Sequence, residues 1–135
     1  MLTAAVEGLW LLGEKDEAAR HYSSIVSLPA DTGNAVRTWD ARLVETIAGI
    51  AAAAGRDWKA AERHFATAMD VAERMPHLIE QADIRRFFAQ MQMDRAGPGD
   101  LDRARELLAE AVDRYHQLGM PKHEAMTVAI QRELA

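Results

Sequence analysis

The apolar residues of this chain recur every three or four positions over most of its length. The clearest stretch spans residues 100–120, where this spacing is typical of an amphipathic helix with one buried face. Asp100 is the expected N-cap of that helix, and Gly119 is the expected residue just after its end. The apolar positions on its face are Leu101, Ala104, Leu107, Leu108, Ala111, Val112, Tyr115 and Leu118.

The same spacing predicts seven helices separated by short breaks. Pro76 is expected at the first position of the fifth helix, where its missing N–H costs nothing. The loop 29–34 concentrates turn-forming residues and is the clearest break. No segment has the alternating pattern of a strand, so we expect an all-α fold. The predicted helices are 2–12, 14–28, 35–54, 57–75, 76–95, 100–118 and 121–134.

Three of these helices have predicted inner faces of distinct character. The third helix ends in a run of alanines and glycines, so its face is smooth enough for close packing. Its larger apolar residues include Trp39, Leu43 and Ile47. The fifth helix is expected to bury Ile79, Ile84, Phe87, Phe88 and Met91, and the seventh to bury Ala125, Met126, Ala129 and Ile130.

A 43-residue period runs through the chain. Ala18, Ala61 and Ala104 are each 43 residues apart, and each is followed four positions later by a large side chain. A fixed period in this range predicts an array of structural repeats.

The pattern around each of these alanines, G-x-x-x-x-A-x-x-x-[YF]-x-x-[AI], resembles the second helix of a tetratricopeptide repeat. Gly13, Ala18, Tyr22 and Ile25 match it, and the periods that begin near Gly55 and Gly99 match it with small departures. Residues 95–125 resemble in particular the long-period repeats at the C-terminal end of bacterial LuxR-type and cyclase–ATPase regulators.

The resemblance implies antiparallel helix pairs stacked as a short right-handed α-solenoid. Each pair buries its apolar stripe only by stacking on the next pair. We therefore expect one domain over residues 1–135. It would comprise repeat 1 at about 1–30, repeat 2 at about 35–75, repeat 3 at about 76–118 and a capping helix at about 121–134.

Composition narrows the classes of function. The net charge is −5 and the pI about 5.5, so the chain lacks the broad basic face that binds nucleic acid directly. There is no cysteine, which excludes disulfides and thiolate metal sites. No signal peptide or membrane-spanning run is apparent, so we expect a cytoplasmic protein.

No catalytic, cofactor-binding or metal-binding residues are predicted. His21 and His64 occupy equivalent positions 43 residues apart and are interpreted as half-exposed residues kept by the repeat. His116 and His123 flank the break before the last helix and make at most a weak two-ligand metal site. Glu106 and Glu110 are interpreted as part of a solvated face with ion pairs.

Candidate partner-binding residues follow from the resemblance, because the first helices of tetratricopeptide-like pairs line a concave groove. An acidic peptide, or one with a free C-terminal carboxylate, would bind there through charge-assisted hydrogen bonds. The alternative is that the arginines are surface charges and that the tryptophan belongs to the core. The candidates are Glu7, Trp10, Arg42, Glu45, Arg85 and Arg86.

The sequence thus predicts a non-catalytic protein–protein interaction module with a protein or peptide partner, and no cofactor. The alternative, which the resemblance supports, is a C-terminal sensor segment of a bacterial multidomain transcriptional regulator or signalling ATPase that binds a small inducer. An enzyme has no support in the residues. Homodimerisation through the end helices is a further alternative.

Overall fold

The computed structural model describes residues 2–28 and 42–135. These residues form helices and contain no strand, which confirms the all-α prediction for this part of the chain. Loop 29–34, the predicted start of the third helix and Trp39 lie outside the described residues. The helices are α1 (Leu2–Leu11), α2 (Lys15–Arg20), α3 (Tyr22–Val26), α4 (Val44–Ala54), α5 (Trp58–Arg74), α6 (Leu78–Arg95), α7 (Asp100–Gln117) and α8 (Pro121–Glu133).

The chain divides into two compact units, Met1–Val71 and Ala72–Ala135. The boundary falls inside α5. In the N-terminal unit, α1, α2 and α3 all pack against α4. In the C-terminal unit, α7 packs against both α6 and α8. The stacked-repeat arrangement itself stays a prediction.

The core of the N-terminal unit is built around the small residues of α4. Every residue from Thr46 to Ala54 is buried, as expected for a smooth helix. A Cβ atom at Gly49 would lie 2.8 Å from Cδ1 and Cε1 of Phe65, so only glycine fits without a shift of the ring. The period alanines Ala18 and Ala61 are fully buried in the same unit.

The face of α7 forms the core of the C-terminal unit, largely as predicted. Ala104, Leu107, Leu108, Ala111 and Tyr115 are fully buried. Leu101, in the first turn, is 40% exposed, and Val112 and Leu118 are half-buried.

Several of the predicted helix ends and caps are wrong. The predicted second helix is broken at His21, which ends α2 and begins α3. Pro76 lies outside α6, whose N-cap is His77; its ring nitrogen accepts a hydrogen bond from Glu80 N. Asp100 is not an N-cap, because Gly99 takes that position in a left-handed conformation.

At the other end of α7 the predicted turn is confirmed. Gly119 has a φ of 65° and follows the helix directly, and Pro121 begins α8. Of the predicted inner face of α8, Ile130 is buried and Met126 half-buried, whereas Ala125 and Ala129 are exposed. Thr127 is buried in their place, because its hydroxyl is satisfied by the carbonyl of His123.

Helix α6 differs most from its prediction. Ile84, Phe87, Phe88 and Met91 are buried as expected, but Ile79 is exposed. The helix is buried on nearly all sides, so its polar residues are enclosed too. Those residues are Glu80, Gln81, Asp83, Arg85, Arg86 and Gln92.

Candidate functional site

A small cavity opens in the C-terminal unit, where the start of α6 meets the end of α7. Its volume is about 140 Å³. We call it the Leu78 pocket; it is lined by Leu78, Gln81, Arg114, Gln117 and Leu118. Two leucines, two amides and one guanidinium therefore surround the same space. Apolar side chains and hydrogen-bonding groups are thus combined in a space that is smaller than most ligand pockets.

Two of the three polar side chains of the Leu78 pocket, Gln81 and Arg114, are held by hydrogen bonds. Gln81 Nε2 donates a hydrogen bond to the carbonyl of Ala72 at 3.0 Å. This leaves Gln81 Oε1 to accept from Arg114 Nη1 at 2.6 Å. The other guanidinium nitrogen of Arg114, Nη2, lies 3.4 Å from Glu73 Oε1. The Arg114 side chain is still 32% exposed, so its charge faces water at the edge of the pocket.

Leu78, which lines the pocket, is itself exposed to solvent. Leu78 has 54% of its surface in contact with solvent, and its neighbours Met75 and Ile79 are exposed as well. Scattered apolar residues on a surface need no explanation, but an exposed leucine that lines a cavity is a candidate contact for a partner.

Arg85 is enclosed next to this site and fully engaged by its own chain. Its Nη1 donates to the carbonyl of Gln81 at 2.8 Å, and its Nε donates to Glu110 Oε2 at 2.6 Å. Its Nη2 donates to Glu73 Oε1 at 3.1 Å. The Glu73 carboxylate is thus shared between Arg85 and Arg114, and Arg85 presents no guanidinium at the surface.

Arg86 lies in a second, deeper cluster with Asp83 and Tyr115. Only 2% of its surface is exposed. Its Nε donates to the Tyr115 hydroxyl at 3.2 Å and its Nη2 lies 3.6 Å from Asp83 Oδ1, while Tyr115 donates to the same carboxylate oxygen. Burial raises the pKa of the Tyr115 hydroxyl above its usual range, so the phenol stays protonated and keeps donating. This cluster is part of the core of the unit.

Two of the partner-binding candidates in the N-terminal unit bind each other. Arg42 forms a bidentate pair with Glu7, through Nε to Oε2 at 3.0 Å and Nη2 to Oε1 at 2.7 Å. Trp10 is buried, and Lys15 Nζ lies 4.7 Å from the centre of its ring. The prediction that Trp10 and the arginines line one exposed groove receives no support from these placements.

Glu45, the last candidate of that unit, contacts His64. Their closest atoms, Glu45 Oε2 and His64 Nδ1, are 2.6 Å apart. The other ring nitrogen, Nε2, lies 3.0 Å from the hydroxyl of Tyr22. The interpretation of His64 as a half-exposed repeat residue is therefore wrong, because it is buried and bonded on both sides.

The remaining candidates are surface contacts. His116 pairs with Glu124 at 3.3 Å, and the His123 ring lies 5.3 Å from that of Tyr115, so the two histidines have separate partners. Arg103 pairs with Glu106 at 2.8 Å on an exposed face, as predicted. Residues 2–28 and 42–135 contain no group of three or more His, Cys, Asp or Glu side chains placed to hold a metal ion.

The Leu78 pocket is absent from the sequence predictions. Leu78, Gln81 and Arg114 are not among the residues predicted to bind a partner. The available signal was that the polar and apolar residues of α6 do not separate onto two faces, as they would on a helix with one buried stripe.

None of the described helices is both long enough and apolar enough to cross a membrane. Comparison with protein-family models, with curated proteins and with solved structures gives no match to this chain.

Proposed function

We propose that this protein is an interaction module that binds a peptide segment of a partner protein at the Leu78 pocket. The observation that carries the proposal is the exposed Leu78 beside a cavity whose edge holds the charged Arg114. The tetratricopeptide-like pattern of the sequence adds support, because repeats of that kind commonly serve as docking platforms.

The chemistry of the pocket defines the partner segment. An aliphatic side chain fits between Leu78 and Leu118, where it removes apolar surface from water. The amide of Gln117 can hydrogen-bond the peptide backbone beside that side chain. A carboxylate of the segment would bind Arg114, whose exposed fraction leaves its charge accessible.

Arg114 replaces the arginines first predicted for this role. Arg85 and Arg86 are buried and bonded within the unit, so recruiting either one would break existing contacts. Arg114 has one bond of good length to Gln81 and a longer contact to Glu73, which a ligand carboxylate can replace.

A second function is favoured by the small volume of the pocket. A cavity of about 140 Å³ suits a branched carboxylic acid of a few carbons as well as one side chain of a peptide. The protein would then act as the sensor segment of a bacterial multidomain regulator, with a small inducer as its ligand.

The test is selection from a displayed random-peptide library with the intact protein as bait. We expect enriched peptides to combine an aliphatic residue with a nearby carboxylate, and Leu78→Asp and Arg114→Gln each to weaken their binding at least about tenfold. Leu101→Asp is the matched control, because Leu101 is an exposed leucine at the opposite end of α7, about 20–25 Å from Arg114 and Leu118 at 1.5 Å per residue.

Peptides that bind Leu78→Asp as well as the natural protein would disprove the site. A panel of small branched carboxylic acids, tested by thermal shift, separates the two functions. A shift that Arg114→Gln abolishes, together with no enriched peptide motif, would favour the sensor.

A further inference from the structure

Three side chains from three helices of the N-terminal unit form a continuous hydrogen-bonded chain. Tyr22 comes from α3, Glu45 from α4 and His64 from α5. The Tyr22 hydroxyl lies 3.0 Å from His64 Nε2, and His64 Nδ1 lies 2.6 Å from Glu45 Oε2. We call these three residues the Tyr22 relay.

The chemistry of the three groups determines which atom donates and which accepts each hydrogen bond of the Tyr22 relay. A carboxylate only accepts hydrogen bonds, so Nδ1 of His64 carries a hydrogen and donates it to Glu45. In the neutral ring, Nε2 is then the acceptor, and the hydroxyl of Tyr22 donates to it. The lone pair of His64 is therefore aimed at the proton of the phenol.

The imidazole of His64 is more buried than the Tyr22 residue. The His64 side chain is only 11% exposed, so water competes little for its two nitrogens. Tyr22 is half-buried. The base is thus more sheltered from water than the residue that it polarises.

We infer that Tyr22 is an activated nucleophile, with His64 as its general base and Glu45 as the residue that positions the base. A hydroxyl, an imidazole within hydrogen-bond reach and a third group that orients the ring are the elements of nucleophilic catalysis in general. The substrate class is an activated carboxylic ester, and the reaction transfers its acyl group. The inference does not depend on the peptide-binding function of the C-terminal unit.

In the transfer step, the Tyr22 oxygen forms a bond to the ester carbonyl carbon, and the bond from that carbon to the leaving oxygen breaks. The phenolic proton passes to His64 Nε2 and then to the departing oxygen. The products are an acyl-tyrosine at position 22 and the free alcohol or phenol, with no oxidant, reductant or metal required.

The probe is 4-nitrophenyl acetate with the intact protein near neutral pH. Nitrophenolate release is followed by absorbance, and the acetylated residue is located by mass spectrometry. We expect acetylation of Tyr22 at least about 100-fold faster than that of free N-acetyl-tyrosinamide, since a positioned base contributes at least that factor. Acetylation of Tyr22 no faster than the free amide, or of lysines only, overturns the inference.

Variants separate the roles of the three residues. Tyr22→Phe should abolish the labelling, and His64→Gln should return its rate to within about tenfold of the free amide. Glu45→Gln keeps an acceptor for Nδ1–H but removes the charge, so it should slow acylation and displace its pH–rate profile. An unchanged profile in this variant would assign Glu45 a structural role only and contradict its part in the relay.

Two controls complete the experiment. Circular dichroism melting shows whether each variant keeps its fold, and the comparison with the free amide needs no variant at all. Leu101→Asp, at an exposed leucine that belongs to neither site, should be acylated like the natural protein.

Discussion

Arg86 stands out among the side chains, because a guanidinium is seldom enclosed as fully as this one. Asp83 and the Tyr115 hydroxyl compensate its charge, and the Phe87 ring lies 4.3 Å from its central carbon. Its Nη1 has no hydrogen-bond partner among the described residues. The cluster therefore depends on all three residues being present.

Removing one member of this cluster should cost stability out of proportion to its size. Asp83→Asn leaves the Arg86 charge enclosed without its counterion, and we expect a loss of about 3–5 kcal/mol in the free energy of unfolding. Tyr115→Phe removes one bond to each partner and should cost about 1–3 kcal/mol. Urea denaturation of the variants measures both losses, and values below about 0.5 kcal/mol would contradict the account.

Gly49 leaves room on α4 for the ring of Phe65 from α5. In Gly49→Ala the new Cβ would lie 2.8 Å from the buried ring of Phe65, so the ring or a helix must move. We expect a destabilisation of about 1–3 kcal/mol from overpacking, larger than the gain in helix propensity of at most about 1 kcal/mol.

Gly8 provides the matched control for this substitution. It also lies within a helix, but a Cβ there meets no atom within 4 Å. Gly8→Ala should therefore stabilise the protein by up to about 1 kcal/mol in the same denaturation assay. If both alanine variants were stabilised, the tight packing of the Phe65 ring on Gly49 would be disproved.

The sequence predicts the buried residues of some helices better than those of others. The face of α7 was predicted almost residue by residue, because one stripe of it is buried and the other faces solvent. The burial of polar residues on α6 was not predicted. Their partners are distant in the sequence, as with Arg86 and Tyr115, 29 residues apart, or Arg85 and Glu110, 25 apart. The local spacing of apolar residues contains no information about pairs of residues that are so far apart in the sequence.

The same limit explains why the sequence did not predict the Leu78 pocket and misjudged the exposure of Arg85 and Arg86. The sequence placed Arg85 and Arg86 in an exposed groove, since arginines on a helix usually face water. The Leu78 pocket requires the start of α6 to meet the end of α7, which a periodic pattern does not specify. The break at His21 was equally invisible, because no glycine or proline marks it.

The turn between α6 and α7 depends on an ionised carboxylate. Asp100 accepts two hydrogen bonds from Arg95, at 2.7 and 2.8 Å, and one from Gly97 N at 2.7 Å. The Arg95 hydrogen bond is the main cause that holds the pKa of Asp100 below its ordinary value of 3.8, against the opposing effect of burial.

This lowered pKa predicts how stability depends on pH. The folded protein holds the Asp100 proton less tightly than the unfolded chain does, so the contribution is complete above the ordinary value of 3.8. It is lost as the pH falls from there through the lowered pKa. Urea unfolding of the natural protein and of Asp100→Asn between pH 5 and 2 measures this, and equal slopes in both would refute it.

The charge of the entire chain bears on its partners. A net charge of −5 repels phosphate backbones, and the arginines described above are mostly paired with carboxylates. We expect no binding to duplex DNA in fluorescence polarisation at about 150 mM salt, conditions in which nonspecific binders have dissociation constants of about 10⁻⁴–10⁻⁶ M. Binding that weakens steeply with added salt would show a basic surface not anticipated here.

The enclosed cluster of Asp83, Arg86 and Tyr115 also constrains the history of the protein. A lineage that loses one of these side chains passes through an intermediate with an uncompensated charge or hydroxyl, and selection removes most such intermediates. Replacement of all three by apolar residues restores a stable core. Related chains should therefore carry the three residues together or lack all of them, so that positions 83, 86 and 115 are inherited as a set.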